Sequence, residues 1–93
     1  MVDTKHLKVT LQRELDSLVR TRDELRVQAS LARADAHKEW DRLEAGLLRV
    51  QDEIKRMGEH SKDAAHEVAI ASRTLLEELK HGYERIKRDV QAN

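Results

Sequence analysis

Three pairs of residues in this sequence have a spacing that could place metal ligands on one helix face. An acidic residue precedes a histidine by three positions at Asp3/His6, Asp63/His66 and Glu78/His81. Di-iron helical bundles use such a pair, Glu-x-x-His, on each of two facing helices. The apolar pattern of the C-terminal segment, described below, turns the second and third pairs towards solvent. We therefore interpret the pairs as solvated surface groups, and the sequence predicts no metal site.

The other residues that could carry chemistry do not form a recognisable catalytic set. The chain has no cysteine, which excludes a thiol nucleophile and a disulfide framework. No serine lies in the strand–turn–helix context of a nucleophile with a histidine–acid pair, and no Gly-rich phosphate loop is present. His37 and His60 have no ligand-spaced partner. The sequence predicts a protein that is not an enzyme and binds no cofactor.

The composition indicates long helices. Of the 93 residues, 39% are charged, 39% are hydrophobic and only 2% are aromatic, with no proline and three glycines. A chain rich in Ala, Glu, Lys, Leu and Arg is typical of coiled coils, and it lacks the bulky apolar side chains that line ligand cavities. The length is that of at most one domain, which we assign to residues 1–93.

The charge balance disfavours two classes of partner. Eighteen basic residues match eighteen acidic ones, so there is no basic stripe to bind nucleic acid, and a membrane surface is an unfavourable partner for the same reason. The N-terminal sequence MVDTKHLKV lacks the apolar run of a signal peptide. We expect a cytoplasmic protein.

Residues at helical spacing define one stripe along the first part of the chain. They are Leu11, Leu15, Leu18, Arg22, Leu25, Ala29, Ala32, Ala36, Trp40, Leu43, Leu47, Val50, Ile54 and Met57. Steps of three and four alternate, as in a helix with one buried face, and the pattern predicts a helix from about residue 4 to residue 57. We expect the alkyl stem of Arg22 to lie on the seam while its guanidinium reaches water.

A turn over residues 58–60 separates this helix from a second one, over about residues 61–91. Gly58 can adopt the left-handed conformation that ends a helix. Ser61 can cap the exposed N–H groups of the next helix, and Asp63 suits the positive end of its dipole. These stop and start signals predict a reversal of the chain.

The second helix carries its own stripe, which matches the first in an antiparallel register. Its members are Ser61, Ala65, Val68, Ser72, Leu75, Leu79, Gly82, Ile86 and Val90. The register pairs Leu43 with Leu75 and Trp40 with Leu79, and it sets large side chains against small ones. The sequence thus predicts an all-α, coiled-coil-like antiparallel hairpin with a core of Trp40, Leu43, Leu47, Val50, Ile54, Val68, Leu75, Leu79 and Ile86.

The two arms of this hairpin are unequal in length. At about 1.5 Å per residue, the first helix would extend roughly 80 Å and the second about 45 Å. The N-terminal overhang leaves a strip without a partner in the monomer, and exposed apolar strips mark interaction sites. We therefore predict a homodimer or higher assembly, or pairing with another coiled-coil protein, through Leu11, Leu15, Leu18, Arg22 and Leu25.

An alternative breaks the first helix between residues 28 and 35 and forms a three-helix bundle. Ser30 and Asp35 are the residues that favour this break. It would let the N-terminal arm fold back within one chain.

Two segments of the chain resemble a group of small bacterial coiled-coil proteins. They are the Ala-rich stretch LARADAHKEW, ending at Trp40, and the segment LKHGYE from Leu79 to Glu84. The resemblance covers residues 7–88 and departs around the turn, where Ser61–Lys62 and histidines replace a Gly-Asp and an aromatic residue. It implies a bacterial origin, a helical hairpin and stress-linked expression, without an assigned activity or catalytic residues.

The function that we expect is non-enzymatic. The leading interpretation is a self-associating helical scaffold or stress-associated interaction module. The alternative is binding to a lipid surface, because amphipathic hairpins can open on bilayers, although the stripe is poor in Phe and Trp.

Overall fold

The computed structural model describes the backbone of residues 4–92 and the side chains of residues 6–91. The described chain is all-helical. It consists of α1 (Thr4–Ser30), α2 (Ala34–Arg56), a 3₁₀ turn (Met57–Glu59) and α3 (Lys62–Ala92). The three helices pack as a bundle that measures 47 × 18 × 16 Å, and they share one apolar core.

The first predicted helix, over about residues 4–57, is wrong in its length because the chain breaks at residues 31–33. The amides of Leu31 and Ala32 close the end of α1 on the carbonyls of Gln28 and Ala29, each over 3.1 Å. Arg33 is extended (φ −67°, ψ 163°) and precedes the first residue of α2. The three-helix alternative is the arrangement that forms.

Burial of the N-terminal leucines explains why the chain breaks where no proline or glycine requires it. Leu11, Leu15, Leu18 and Leu25 are each no more than 5% exposed in the folded monomer. Burying one leucine side chain stabilises by about 1.5–3 kcal/mol, whereas each backbone hydrogen bond lost at a break costs about 0.5–1.5 kcal/mol. The free energy gained when α1 folds back and buries its leucines therefore exceeds the cost of the hydrogen bonds lost at the break.

The second turn forms where the sequence predicts it, with a different backbone geometry. Ser61 Oγ accepts a hydrogen bond from the amide of Ala64 over 3.3 Å, so the predicted cap is confirmed. Gly58 lies in the 3₁₀ turn, and no described glycine has a positive φ, so the predicted left-handed stop is wrong. The tighter 3₁₀ hydrogen bonds, such as the one from the amide of His60 to the carbonyl of Met57, end the helix instead.

The contacts between α2 and α3 run in opposite residue order, from Glu39 with Arg85 to Gly46 with Leu79. Their register differs from the predicted one. Leu43, expected opposite Leu75, packs against the backbone of Gly82, and Trp40 contacts Tyr83 rather than Leu79. The partner of Leu43 is thus seven positions further along α3 than predicted and that of Trp40 four, so the register moves by one to two helical turns and still sets an apolar face against an apolar face.

The α3 helix buries a wider face than the predicted stripe. Five predicted members are buried, as are three residues beside them, while Val68, Leu75 and Val90 are only partly buried; the eight buried residues are Ala65, Ser72, Leu79, Gly82 and Ile86 of the stripe, with Ala69, Leu76 and Tyr83. The α3 helix packs on both α1 and α2, so it needs a wider buried face than a helix with one neighbour. Ala69, Leu76 and Tyr83 supply that extra width.

Candidate functional site

The residues predicted as an oligomer interface lie inside the monomer. Leu11, Leu15, Leu18 and Leu25 belong to the shared core, and Arg22 has a side chain that is only 19% exposed. The overhang from which the interface was predicted does not exist, because α1 packs on α3 and α2 of its own chain. The assembly itself stays a prediction, and it needs a route other than an unpaired leucine strip.

A polar cluster joins the three helices. Nη1 of Arg22, on α1, donates to Oε2 of Glu44, on α2, over 3.2 Å. The hydroxyl of Tyr83, on α3, donates to Oε1 of the same carboxylate over 3.1 Å. Both oxygens of Glu44 are thus engaged, each by a different helix. We call Arg22, Glu44 and Tyr83 the inter-helix cluster.

Arg22 enters the cluster because its position on the apolar face of α1 directs it between the other helices. Its Nε lies 3.1 Å from Oδ1 of the neighbouring Asp23, close enough for an ion pair but without the alignment of a hydrogen bond. The guanidinium is largely enclosed, since the side chain is only 19% exposed and Nη1 binds Glu44. A planar guanidinium suits this position because it presents several donors to carboxylates at once.

Tyr83 is the most enclosed member of the cluster. It is 0% exposed, and its ring meets the ring of Trp40 edge-on, with centroids 5.4 Å apart and an interplanar angle of 74°. Burial raises the pKa of the Tyr83 hydroxyl above its ordinary value, and the Glu44 carboxylate that it contacts raises it further. The phenol stays protonated at neutral pH and acts as a hydrogen-bond donor.

The cluster is suited to fixing the arrangement of the helices. An ion pair and a charged hydrogen bond that meet on one carboxylate are satisfied only in one register and one rotational setting of the helices. Two surface grooves between α1 and α3, of about 270 and 150 Å³, are lined by other residues. The cluster therefore faces the helices themselves rather than either groove.

The predicted hairpin core is split between two degrees of burial. Leu43, Leu47, Val50, Ile54, Leu79 and Ile86 are each no more than 6% exposed. Trp40, Val68 and Leu75 are partly buried and pack against the same cluster. These residues lie in one core together with the α1 leucines. The structure therefore joins the predicted hairpin core and the predicted oligomer interface in a single cluster.

The acid–histidine pairs remain at the surface in the described chain. Asp63, His66, Glu78 and His81 are exposed, and His81 lies 3.9 Å from Glu84, too far for a hydrogen bond. Asp3, of the first pair, lies outside the described residues. Within residues 4–92, no three acidic or histidine side chains gather closely enough to hold a metal ion.

The sequence pattern does not single out two members of the inter-helix cluster. Glu44 and Tyr83 each lie beside a predicted stripe and not on it. The usable signal was Tyr83 itself, since a single tyrosine placed seven residues from Leu76 continues a helical stripe. No sequence signal pairs it with Glu44, because that contact depends on the register between α2 and α3.

Comparison with known proteins gives no relative for this chain. A scan against models of protein families and searches of curated proteins and of solved structures found no match. The resemblance to small bacterial coiled-coil proteins therefore stays a prediction. Among the described residues, no helix has the length and apolar character required to cross a membrane.

Proposed function

We propose that this chain is a non-enzymatic, self-associating helical protein that serves as a scaffold or interaction module. The observation that supports the proposal is that the enclosed polar side chains bind one another. The hydrogen bonds of Arg22, Glu44 and Tyr83 hold the three helices together. What remains for a partner is the outer surface of the bundle.

The outer surface has properties that favour association with another protein. Large apolar side chains stay exposed on all three helices and at the α1–α2 connection: Val9, Val27, Leu31, Leu48 and Ile70. The formal net charge at pH 7 is +0, so no long-range repulsion keeps two copies apart. A stress-linked role would follow the resemblance noted above and is part of the proposal, together with a cytoplasmic setting.

Sedimentation velocity over a wide concentration range tests the proposal. We expect a dimer fraction that grows with concentration and persists in high salt, because the contacts involved are apolar. A chain that sediments as a monomer throughout would contradict self-association. The same samples mixed with phosphatidylcholine–phosphatidylserine vesicles give the second readout: a monomer that co-sediments with vesicles would replace the scaffold by a lipid-surface protein.

A further inference from the structure

At the connection between α1 and α2, α1 ends on two backbone hydrogen bonds, from the amides of Leu31 and Ala32 to the residues three positions before them, and not at a residue that a helix rejects. No proline occurs in the chain, and the three glycines lie elsewhere, at positions 46, 58 and 82. Arg33, at the start of α2, contributes no side-chain hydrogen bond to the free amides there, and no described residue takes a positive φ. Leu31 is 84% exposed. Local sequence therefore opposes a helix through residues 31–33 only through the lower helix propensity of Ser30 and Asp35, which costs less than a glycine or a proline would.

The apolar face also continues across the connection. Leu25 and Ala29 are buried on α1, and Ala36 and Trp40 are partly buried on α2. Ala32 stands between them at helical spacing. A straight helix over these residues would keep one apolar face and would add backbone hydrogen bonds that the break forgoes.

The contacts that hold α1 do not require α1 to belong to the same chain as α2 and α3. They are the leucine packing on α3, the bond from Arg22 to Glu44, and the pair Arg73–Glu14 at 4.0 Å. The connection is three residues long and is the sole covalent link between α1 and α2. An identical set of contacts can therefore form with α1 of a second copy.

We infer that two copies of the chain exchange α1. In the exchanged dimer, residues 31–33 become helical, α1 and α2 form one helix, and each α1 docks on α2 and α3 of the other copy. This route deepens the proposed function and rests on it, since it names how the chain associates with itself: through the core contacts of α1, which leaves the outer surface of the bundle to a different partner. The inter-helix cluster then forms between copies, with Arg22 of one chain reaching Glu44 and Tyr83 of the other.

Paired cysteines distinguish exchange from contact between intact monomers. The chain has no cysteine of its own, so Glu14→Cys with Arg73→Cys reports α1–α3 proximity, and Glu39→Cys with Arg85→Cys reports α2–α3 proximity. Concentrated protein is warmed to loosen α1, cooled, and linked with a short bismaleimide. Exchange links the first pair between chains on a denaturing gel, while the second pair, which stays within one chain, is the control.

A proline at position 34 provides the matched loop variant. Ala34 is exposed and is the first residue of α2, where proline is favoured because its missing amide is not needed. Arg33 already has the extended conformation that proline demands of its predecessor. In a continuous helix the same proline would clash with the preceding turn, so Ala34→Pro should lower the dimerisation constant more than about 100-fold. Ala34→Ser should leave it unchanged.

The outcomes separate the route from the proposed function. Dimers whose two cysteine pairs both link within one chain, or dimers that survive Ala34→Pro undiminished, overturn the exchange of α1 and leave self-association standing. Absence of any dimer at high concentration overturns both.

Discussion

The Tyr83 hydroxyl ties the third helix to a carboxylate that α1 also uses. Because the phenol is enclosed and faces Glu44, both effects favour its protonated form in the folded state. The cluster is therefore a set of charged hydrogen bonds with a defined pH response. The chain contains one tyrosine, so its titration can be followed without interference from others.

Tyr83→Phe should destabilise the bundle by about 1–2 kcal/mol at neutral pH, because Glu44 loses a donor while it keeps Arg22. Below its ordinary pKa of 10.0, the hydroxyl makes its full contribution to the free energy of unfolding. Above that pH the unfolded state releases a proton that the folded state retains, so stability falls as pH rises. Urea unfolding of both proteins between neutral and alkaline pH should show their difference shrinking above about pH 10. Tyrosinate absorbance of the native protein that rises at the ordinary pKa would contradict an enclosed hydroxyl.

Ser72 is a residue at which the fold tolerates an unfavourable group. It is 0% exposed, and its Oγ has no hydrogen-bond partner among the described residues. Ser72→Ala should therefore stabilise the protein by about 1 kcal/mol, since it removes a buried unpaired hydroxyl and improves helix propensity. Thermal unfolding measures the change. Ser17→Ala, at an exposed helical position, isolates the propensity part, and a Ser72→Ala protein no more stable than this control would show that the hydroxyl is satisfied.

At the scale of the elements, two glycines let α2 and α3 approach each other. A Cβ at Gly46 would lie 2.9 Å from Cδ2 of Leu79, and one at Gly82 would overlap the branched end of Leu43. Each helix thus sets a leucine against the glycine of the other. This reciprocal contact defines a register that neither stripe alone could select.

Gly82→Ala should destabilise the protein by about 1–2 kcal/mol. The added methyl displaces Leu43 from a packed site, and that overpacking outweighs the helix propensity gained. Gly58→Ala is the control, because nothing lies within 4 Å of a Cβ there and the backbone φ is not positive, so it should be neutral or mildly stabilising. Denaturant titration followed by circular dichroism compares them. Equal stability of the two variants would mean that α2 and α3 are not in close contact at Gly82.

The elements that the sequence predicted correctly are those specified by local signals. The start of α3 after Ser61 follows from capping chemistry, and the face of α2 follows from its helical spacing. The α3 stripe is predicted too narrow: its members Ala65, Ser72, Leu79 and Ile86 are buried, and Ala69, Leu76 and Tyr83 beside them are buried as well. The extra width depends on α3 having two neighbours rather than one.

The break at residues 31–33 could not be predicted from its own residues. The break forms because burial of the α1 leucines against α3 stabilises the chain more than the backbone hydrogen bonds of a straight helix would at three positions. The inter-helix cluster depends in turn on that fold, since Arg22 meets Glu44 only when α1 returns along the bundle. Local sequence thus predicts the helices, and non-local burial decides how many there are.

The whole molecule has one continuous core, and this feature separates it from a hairpin with a dispensable arm. The α1 leucines, the buried face of α2 and the α3 stripe belong to the same cluster. In the hairpin that the sequence predicted, disrupting the N-terminal leucines would leave α2 and α3 folded. In the bundle, it removes part of the core on which both depend.

Leu15→Asp should therefore destabilise the entire bundle rather than release one helix. The side chain is 3% exposed, and an unpaired carboxylate there loses the apolar contacts as well as solvation, which costs more than about 3 kcal/mol. The free energy of unfolding of a domain of this size is about 5–10 kcal/mol. Circular dichroism and the fluorescence of Trp40, the one tryptophan, should report a single shared transition at much lower denaturant. Val9→Asp, on the same helix at a side chain that is 45% exposed, should change little. A Leu15→Asp protein that keeps roughly two thirds of its helicity and an unchanged Trp40 signal would show that α2 and α3 fold without α1, which would contradict the single cooperative core.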